Sequence, residues 1–227
     1  MTEVSISAFA ANQRNIEKDI VSLQKNGADR IHVDIMDGLF VPLTGLTSDW
    51  LDRVLEIINI PIDVHIMSVN NYSYIEALLN YPIDSIVFHI ETENDLNIIF
   101  LLNSIKERKI RCGLAISPET DIHKLEPFIS NIDEVLIMST LPGINGSTFL
   151  SDSYNRIQII NNIRKQKNEK VSISVDGALK LEHVKKSIQN GANKLVFGRE
   201  YFKQPDPKSF ISKIQNISNL LRKSSPN

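Results

Sequence analysis

The sequence has little of several residue types, and each shortage excludes a class of protein. Cys112 is the single cysteine among 227 residues, so an internal disulfide is excluded. Its apolar setting, RCGLAI, predicts a buried structural thiol rather than a nucleophile. No run of about 18 apolar residues occurs, and the N-terminal segment MTEVSISAFAANQRN has neither the basic start nor the apolar stretch of a signal peptide. We therefore expect a cytoplasmic protein with no membrane partner.

An excess of one charge is also missing. The chain has 25 Lys and Arg against 27 Asp and Glu, which gives a formal net charge of −2. Because there is no basic field to attract phosphates, no nucleic-acid partner is expected. Hydrophobic residues make up 42% of the chain and charged residues 23%, which is enough apolar material for one sizeable core.

Short runs rich in Val and Ile alternate with amphipathic stretches from one end of the chain to the other. This alternation is typical of repeated βα units and predicts a parallel sheet. The predicted strands cover 4–9, 30–34, 62–67, 85–89, 111–116, 134–138, 171–176 and 194–197. Eight strands in a chain of this size favour closure into an α/β (β/α)8 TIM barrel, a single domain over 1–227 with a frayed tail over 222–227. A doubly wound open sheet is the alternative.

Histidines and aspartates recur at the predicted carboxyl ends of strands, where a barrel of this type carries its chemistry. The two-residue period places His32 with Asp34 on one face of the second strand, and Asp63 with His65 on one face of the third. Asp176 ends the seventh strand. Imidazole nitrogen and carboxylate oxygen suit zinc, iron or manganese. His32, Asp34, His65 and Asp176 are therefore candidate metal ligands, although each could instead be a hydrogen-bonded polar residue near a strand end.

Three glycine-containing segments, 141–147, 176–178 and 197–199, follow the sixth, seventh and eighth predicted strands. Glycine permits close backbone approach, and amides at loops and helix N-termini can bind an anion there. Arg199 could add a charge-assisted contact. The segments predict a phosphate site, with ordinary tight turns as the alternative.

The residues that carry these features also resemble a known family. The segments IHVDIMDGLFVP, IDVHIM, MSTLPGINGSTF, VSISVDGA and NGANKLVFG are similar in order and spacing to ribulose-phosphate 3-epimerases, over essentially the whole chain. The resemblance implies that His32, Asp34, His65 and Asp176 bind one divalent ion, zinc first, with iron, manganese or cobalt as alternatives. It implies no organic cofactor, a phosphorylated ketose as substrate, and a homo-oligomer.

The resemblance also implies roles for individual residues. Asp34 and Asp176 would be the acid/base pair, on opposite faces of a planar enediolate that is stabilised by the metal ion. Further substrate-binding positions near the metal would be Ser7, His65, Met36, Met67 and Met138. The phosphate would be held by Gly143, Gly146, Ser147, Gly177, Ala178, Gly198 and Arg199.

The chain departs from the family's usual pattern around the substrate. Where family members read DGHFVPN, Leu39 and Leu43 replace a histidine and an asparagine. In the NPGFGGQ segment, Leu141, Asn145 and Ser147 replace Asn, Gly and Gln. Ala178 stands for the second glycine of VDGG, and Arg199 for a serine. Because the pocket selects the sugar, ribulose 5-phosphate and xylulose 5-phosphate are the expected substrates, and another ketose phosphate such as a hexulose 6-phosphate is the alternative.

Two rival functions differ from an epimerase. Barrels resembling orotidine-monophosphate decarboxylase or hexulose-phosphate synthase share an Asp-x-Lys-x-x-Asp segment on the third strand, and 63–68 reads DVHIMS here, without lysine. A non-catalytic sugar-phosphate sensor would explain Leu39, Leu43 and Leu141, but not four intact metal positions. His89, which ends the fourth predicted strand, is expected either to line the mouth or to pack in the core.

Overall fold

Eight parallel strands close into a barrel in the computed structural model, which describes residues 2–12, 14–45, 48–144, 146–167 and 169–224. Each strand pairs with the next in sequence, and β1 pairs with β8. The strands are β1 Glu3–Ser7, β2 Arg30–Met36, β3 Ile62–Met67, β4 Ser85–His89, β5 Arg111–Ile116, β6 Glu134–Met138, β7 Ser172–Asp176 and β8 Lys194–Phe197. The predicted TIM barrel is confirmed, and the open doubly wound sheet was the wrong alternative.

Five of the predicted strands match the structure to the residue. The main differences lie where a strand meets its loop: β1 ends at Ser7, and Ala8–Ala10 forms a turn of 3₁₀ helix, while β2 continues to Met36. The longer β2 pairs with β3 over its last six residues, from Ile31 with Ile62 to Met36 with Met67. Pairing with a neighbouring strand therefore decided where β2 ends.

Helices follow most of the strands in sequence and surround the barrel. They are α1 Ile16–Lys25, α2 Ser48–Leu55, α3 Asn71–Leu78, α4 Asp95–Glu107, α5 Ser153–Gln166, α6 Leu181–Asn190, α7 Arg199–Phe202 and α8 Pro207–Ser224. The connection from β5 to β6 contains two 3₁₀ segments, Ile122–Leu125 and Ile129–Asn131. The tail predicted to fray from residue 222 is helical as far as Ser224, because α8 continues to that residue, and residues 225–227 lie outside the described residues. No helix in these ranges has both the length and the apolar character needed to cross a membrane.

The main apolar core lies between the outer face of the strands and the helices. Alternate residues along β2, such as Ile31, Val33 and Ile35, belong to this core together with Ile20 and Leu23 of α1. The other residues of β2, His32 and Asp34 among them, are buried on the opposite face. The two-residue period therefore sends the polar side chains into the barrel.

A charged network occupies the interior of the barrel near the amino ends of the strands. Lys194 donates hydrogen bonds to Asp63 at 2.8 Å and to Glu134 at 2.7 Å. Arg30 donates from two nitrogens to Asp63 at 2.8 and 2.7 Å, and Ser174 donates to Glu134 at 2.5 Å. Every buried charge here has an opposite partner, so a paired network fills the interior at this end of the barrel.

Candidate metal centre

The four candidate ligands converge at the carboxyl ends of three strands. β2 supplies His32 and Asp34, β3 supplies His65, and β7 supplies Asp176. One nitrogen or oxygen atom from each residue lies within 4.8 Å of all the others. Barrel closure makes this possible, because β8 and β1 bring β7 round to the same mouth as β2 and β3.

The distances between the donor atoms fit one small cation. His32 Nε2 lies 3.3 Å from Asp34 Oδ1 and 3.8 Å from Asp176 Oδ2, and His65 Nδ1 lies 3.4 and 3.9 Å from the same two oxygens. Ligands about 2.0–2.2 Å from a tetrahedral zinc ion lie roughly 3.3–3.6 Å apart, since the tetrahedral angle sets that edge. The two distances to Asp34 match that edge and the two to Asp176 are somewhat longer, so the cluster could hold a metal ion with Asp176 as its most distant ligand.

The two inward nitrogens give a second test of that fit. His32 Nε2 and His65 Nδ1 are buried, and neither has a hydrogen-bond partner among the described residues. Both side chains are almost fully buried, at 4% and 0% exposure. A buried nitrogen without a partner is costly unless something binds it, and a divalent cation binds neutral imidazole through such a lone pair. The donor set of two histidines and two carboxylates suits zinc, iron or manganese.

The protein groups alone make the two aspartates unlike each other. Burial, opposed in part by His32, raises the pKa of Asp176 to about 6, and the Asp34 carboxylate adds to the rise. Burial acts in the same direction on Asp34, yet His32 and His65 hold the pKa of Asp34 well below its usual range. Burial also disfavours the charged form of His32, but Asp34 and Asp176 outweigh it and raise the pKa of His32 to about 9. Asp176 is thus the carboxylate that accepts a proton more readily.

Ser7 orients one of these carboxylates. Its hydroxyl donates a hydrogen bond to Asp34 Oδ2 at 2.7 Å, which leaves Oδ1 directed towards His32 and His65. Ser7 ends β1, the strand beside β2, so the predicted position next to the centre agrees with the structure.

The three predicted methionines occupy two separate clusters. Met36 and Met67 pack together with Val41, and Phe9, Phe40 and Leu43 border them. Met138 packs inside the barrel with Val87, Ala115 and Leu136. Met36 and Met67 therefore share one apolar wall near the ends of β2 and β3, and Met138 belongs to a different one.

A cavity of about 780 Å³ opens beside the cluster, and Ser7 and Asp176 line it. Its walls include the predicted phosphate residues Gly146, Ser147, Ala178, Gly198 and Arg199. The segments after β6, β7 and β8 therefore meet at one place, which the sequence pattern predicted. Exposed Lys180 and Lys203 and half-buried His183 also line the cavity, and no pattern in the residue types marks these three positions.

Gly143 and Gly177 are not among the residues that line this cavity. A Cβ at Gly143, where φ is 66°, would lie 2.5 Å from Val41 Cβ, and one at Gly177, where φ is 113°, would lie 2.5 Å from Thr140 Oγ1. Close packing and positive φ therefore explain why glycine occupies both positions, and their part in phosphate binding stays a prediction.

The leucine substitutions lie in different surroundings. Leu39 is 78% exposed, and Leu141 is 37% exposed. Leu43 borders the cluster of Met36 and Met67. Of these three leucines, Leu43 is thus the one that adds apolar surface to the wall near the metal centre. Asn145, another departure from the family pattern, lies outside the described residues.

His89 and Glu91 extend the site behind His65. His89 is fully buried at the end of β4, and its Nε2 lies 3.0 Å from His65 Nε2. Its Nδ1 lies 2.9 Å from Glu91 Oε2, and the Phe40 ring packs on it with centroids 4.7 Å apart. Burial lowers the pKa of His89 to about 4 despite Glu91. The sequence predicted either a place at the mouth or a place in the core for His89, and it did not single out Glu91. The FHIE segment, which places a carboxylate two residues after the histidine, was the pattern that could have indicated Glu91.

Comparisons with known proteins agree with this geometry. The model of the "Ribulose-phosphate 3 epimerase family" matches residues 3–202. The ribulose-phosphate 3-epimerase of Bacillus subtilis is 32% identical over 216 residues, which cover 95% of this chain and 99% of the relative. That of Aquifex aeolicus is 30% identical over 211 residues, which cover 93% and 94%. The solved orotidine 5'-phosphate decarboxylase of Pyrococcus horikoshii OT3 is similar in fold alone, with a TM-score of 0.67 at 16% identity over 95% and 99% of the two chains.

Proposed function

The chain belongs to the ribulose-phosphate 3-epimerase family, and on that premise we propose that it inverts C3 of a ketopentose phosphate. The reaction would interconvert ribulose 5-phosphate and xylulose 5-phosphate with one bound divalent metal ion, zinc in the first instance. The observation that carries the proposal is the convergence of two carboxylates and two imidazoles at one mouth of the barrel, beside a cavity. Such a set combines a metal site with two groups that can exchange protons.

His32, Asp34, His65 and Asp176 would hold the ion. A bound divalent ion supplies Lewis-acid stabilisation for the negative charge that develops when a proton leaves a carbon next to a carbonyl. The two inward ring nitrogens without partners support this assignment. The absence of lysine from 63–68 also supports it, since barrels resembling orotidine-monophosphate decarboxylase have a lysine in that segment.

Asp34 and Asp176 would move the proton. One carboxylate removes the proton from C3, the C–H electrons delocalise onto the C2 carbonyl oxygen, and an enediolate forms. The other aspartate, in its protonated form, returns a proton to C3 from the opposite face, so the configuration is inverted. The opposite pKa directions of the two residues support a pair in which one member is ionised and the other can carry a proton.

The cavity beside the cluster would hold the phosphate. Gly146, Ser147, Ala178 and Gly198 lie on its wall, and Arg199 begins the short helix α7 at its rim. Backbone amides can approach a phosphate closely at such positions, and a guanidinium adds charge. Binding the remote phosphate would position C3 between the two aspartates.

Deuterium incorporation tests the proposal directly. Protein loaded with Zn²⁺ or Mn²⁺ is incubated in heavy water with ribulose 5-phosphate, xylulose 5-phosphate and hexulose 6-phosphates, and NMR follows deuterium at C3. We expect exchange with the pentulose phosphates and none after chelation of the metal. Exchange with hexulose phosphates alone would reassign the substrate. A protein that neither takes up a divalent ion nor catalyses exchange would contradict the proposal and favour a sugar-phosphate sensor.

We also propose that the chain forms a homo-oligomer through an apolar patch beside the mouth. The rings of Tyr72 and Phe100 stack with centroids 6.2 Å apart, and the Asp37 carboxylate accepts hydrogen bonds from the backbone N–H groups of Leu39 and Val69. The exposed members of this patch are Leu39, Val69, Tyr72, Leu96 and Phe100. Exposed apolar side chains grouped in this way mark an interaction site on a protein, and a second copy would bury them.

A further inference from the structure

A chain of hydrogen bonds leads from His65 away from the metal centre and into the barrel wall. His65 Nδ1 faces the centre, while its Nε2 lies 3.0 Å from His89 Nε2. His89 Nδ1 in turn lies 2.9 Å from Glu91 Oε2. Both imidazoles are fully buried, so the contacts between them are shielded from water.

Binding of a cation would fix the direction of hydrogen-bond donation, from His65 through His89 to Glu91. An ion bound at His65 Nδ1 takes the lone pair there, so the proton of a neutral His65 must be on Nε2. His65 Nε2 then donates to His89 Nε2, which must be an acceptor. The proton of His89 is therefore on Nδ1, and it is donated to the Glu91 carboxylate.

Glu91 is held in place as the end of the chain. Its second oxygen, Oε1, accepts a hydrogen bond from the backbone N–H of Ser117 at 2.6 Å. Arg156 holds that loop, because it donates to the carbonyl oxygens of Ser117 at 2.9 Å and Thr120 at 2.8 Å. Each oxygen of Glu91 thus has its own donor, and the carboxylate cannot turn without losing one.

The other histidine of the centre has no such support. His32 Nδ1, the nitrogen that faces away from the cluster, is buried and has no hydrogen-bond partner in the described part of the chain. The contrast shows that a supporting chain is a particular feature of His65, not a general consequence of burial.

From these contacts we propose that His89 and Glu91 are positioning residues that keep His65 in the tautomer able to bind the metal ion. The inference rests on the proposed function, because it needs a metal at the centre. A hydrogen bond to the second nitrogen of a metal-binding histidine orients the ring and raises its basicity. Here a second imidazole, covered by Phe40, transmits that effect from the carboxylate.

The variant Glu91→Gln tests the proposal because it preserves the shape of the side chain but reverses the hydrogen bond between residue 91 and His89. The amide oxygen of the glutamine has to face the Ser117 N–H, since an NH₂ group cannot accept a hydrogen bond. The NH₂ group then faces His89 Nδ1 and donates to it, so the proton of His89 moves to Nε2. Two N–H groups would then meet between His89 and His65, and His65 is driven to the tautomer that cannot bind metal.

Zn²⁺ affinity, measured by competition with a chelator, gives the readout. We expect Glu91→Gln to bind Zn²⁺ about 10–100-fold more weakly than the wild type, with unchanged circular dichroism. The matched control is Glu93→Gln on the same loop. Glu93 accepts hydrogen bonds from the side chains of Asn71 and Asn97, and within the described ranges no hydrogen bond joins it to His65 or His89. The Zn²⁺ affinity of Glu93→Gln should therefore equal that of the wild type.

A second measurement needs no variant and decides the matter if Glu91→Gln fails to fold. Nitrogen-15 NMR of the Zn²⁺-loaded wild type should show the proton of His89 on Nδ1. A proton on Nε2, or equal Zn²⁺ affinities for Glu91→Gln and wild type, would overturn the role of His89 and Glu91 while leaving the metal centre intact. Failure of the wild type to bind Zn²⁺ at all would overturn the centre itself, and this inference with it.

Discussion

Asp34 and Asp176 differ in their contacts although both face the same centre. Asp34 accepts a hydrogen bond from Ser7 and lies nearest both imidazoles, so its negative charge is well compensated. The Asp176 side chain lies farther from the same nitrogens, at 3.8 and 3.9 Å, and lines the open cavity. Two carboxylates with such unequal surroundings suit a reaction in which one is ionised and the other can be protonated.

Replacement of Asp176 by asparagine should stop the reaction without unfolding the protein. Asparagine has the same shape but cannot transfer the proton and is a poorer metal ligand. We expect Asp176→Asn to lose at least about 10²-fold in both epimerisation and C3 deuterium exchange, measured by NMR. Asp95→Asn, at an exposed position of α4, serves as control and should retain wild-type rates. Substantial exchange in Asp176→Asn would contradict the two-aspartate scheme.

Arg199 should contribute to phosphate binding and not to proton transfer. Its side chain lines the cavity at the start of α7, and its substitution removes one charge-assisted contact. For Arg199→Ala we expect KM for the sugar phosphate to rise about tenfold with little change in kcat, as measured by steady-state kinetics. Lys213→Ala, on the exposed face of α8, is the control for loss of a positive charge. An unchanged KM would remove Arg199 from the phosphate site.

The strands contribute to stability through the charged network as well as through their apolar faces. Lys194 of β8 joins Asp63 of β3 to Glu134 of β6 across the barrel, and its side chain is only 1% exposed. Its loss would leave Glu134 with Ser174 as its remaining hydrogen-bonding partner among the contacts described. Three strands that are not adjacent therefore depend on one ammonium group.

Removal of that ammonium group should destabilise the barrel strongly. We expect Lys194→Met to lower the free energy of unfolding by about 3–5 kcal/mol, because buried Glu134 loses its counter-charge while Asp63 keeps only Arg30 of its two hydrogen-bonded cations. Urea denaturation provides the measurement, with Lys213→Met as the surface control. Adding Glu134→Gln to Lys194→Met should restore part of the loss, and a strictly additive double variant would show that the two residues are not coupled.

Strands were predicted more closely than connections, and the reason is physical. A strand buried on both faces reads as a continuous apolar run, as in Glu134–Met138, so its ends are visible in the residue types. The connection from β5 to β6 has only short 3₁₀ segments, whose shape depends on packing against the barrel. The end of β2 likewise depended on its pairing with β3.

A homo-oligomer would bury the apolar patch that includes Tyr72 and Phe100. We expect Phe100→Glu to shift the protein to a smaller assembly in sedimentation velocity, because a charge within the patch would have to be desolvated. Leu220→Glu is the matched control, since Leu220 is also exposed, at 67%, but lies on α8. A wild type that sediments as a monomer would contradict the proposed assembly.

The order of residue types along the chain was sufficient to predict the closed barrel, the mouth as the place of chemistry and the four candidate ligands. These features follow from the two-residue period of the strands and from the rule that consecutive βα units place their strands side by side. Both can be recognised from residues that are close in sequence. The hydrogen-bonded chain from His65 to Glu91, the separation of Met138 from Met36 and Met67, and the partners of Asp63 depended on the tertiary structure. They join side chains from different strands, and only the register of the closed barrel decides which of those side chains meet.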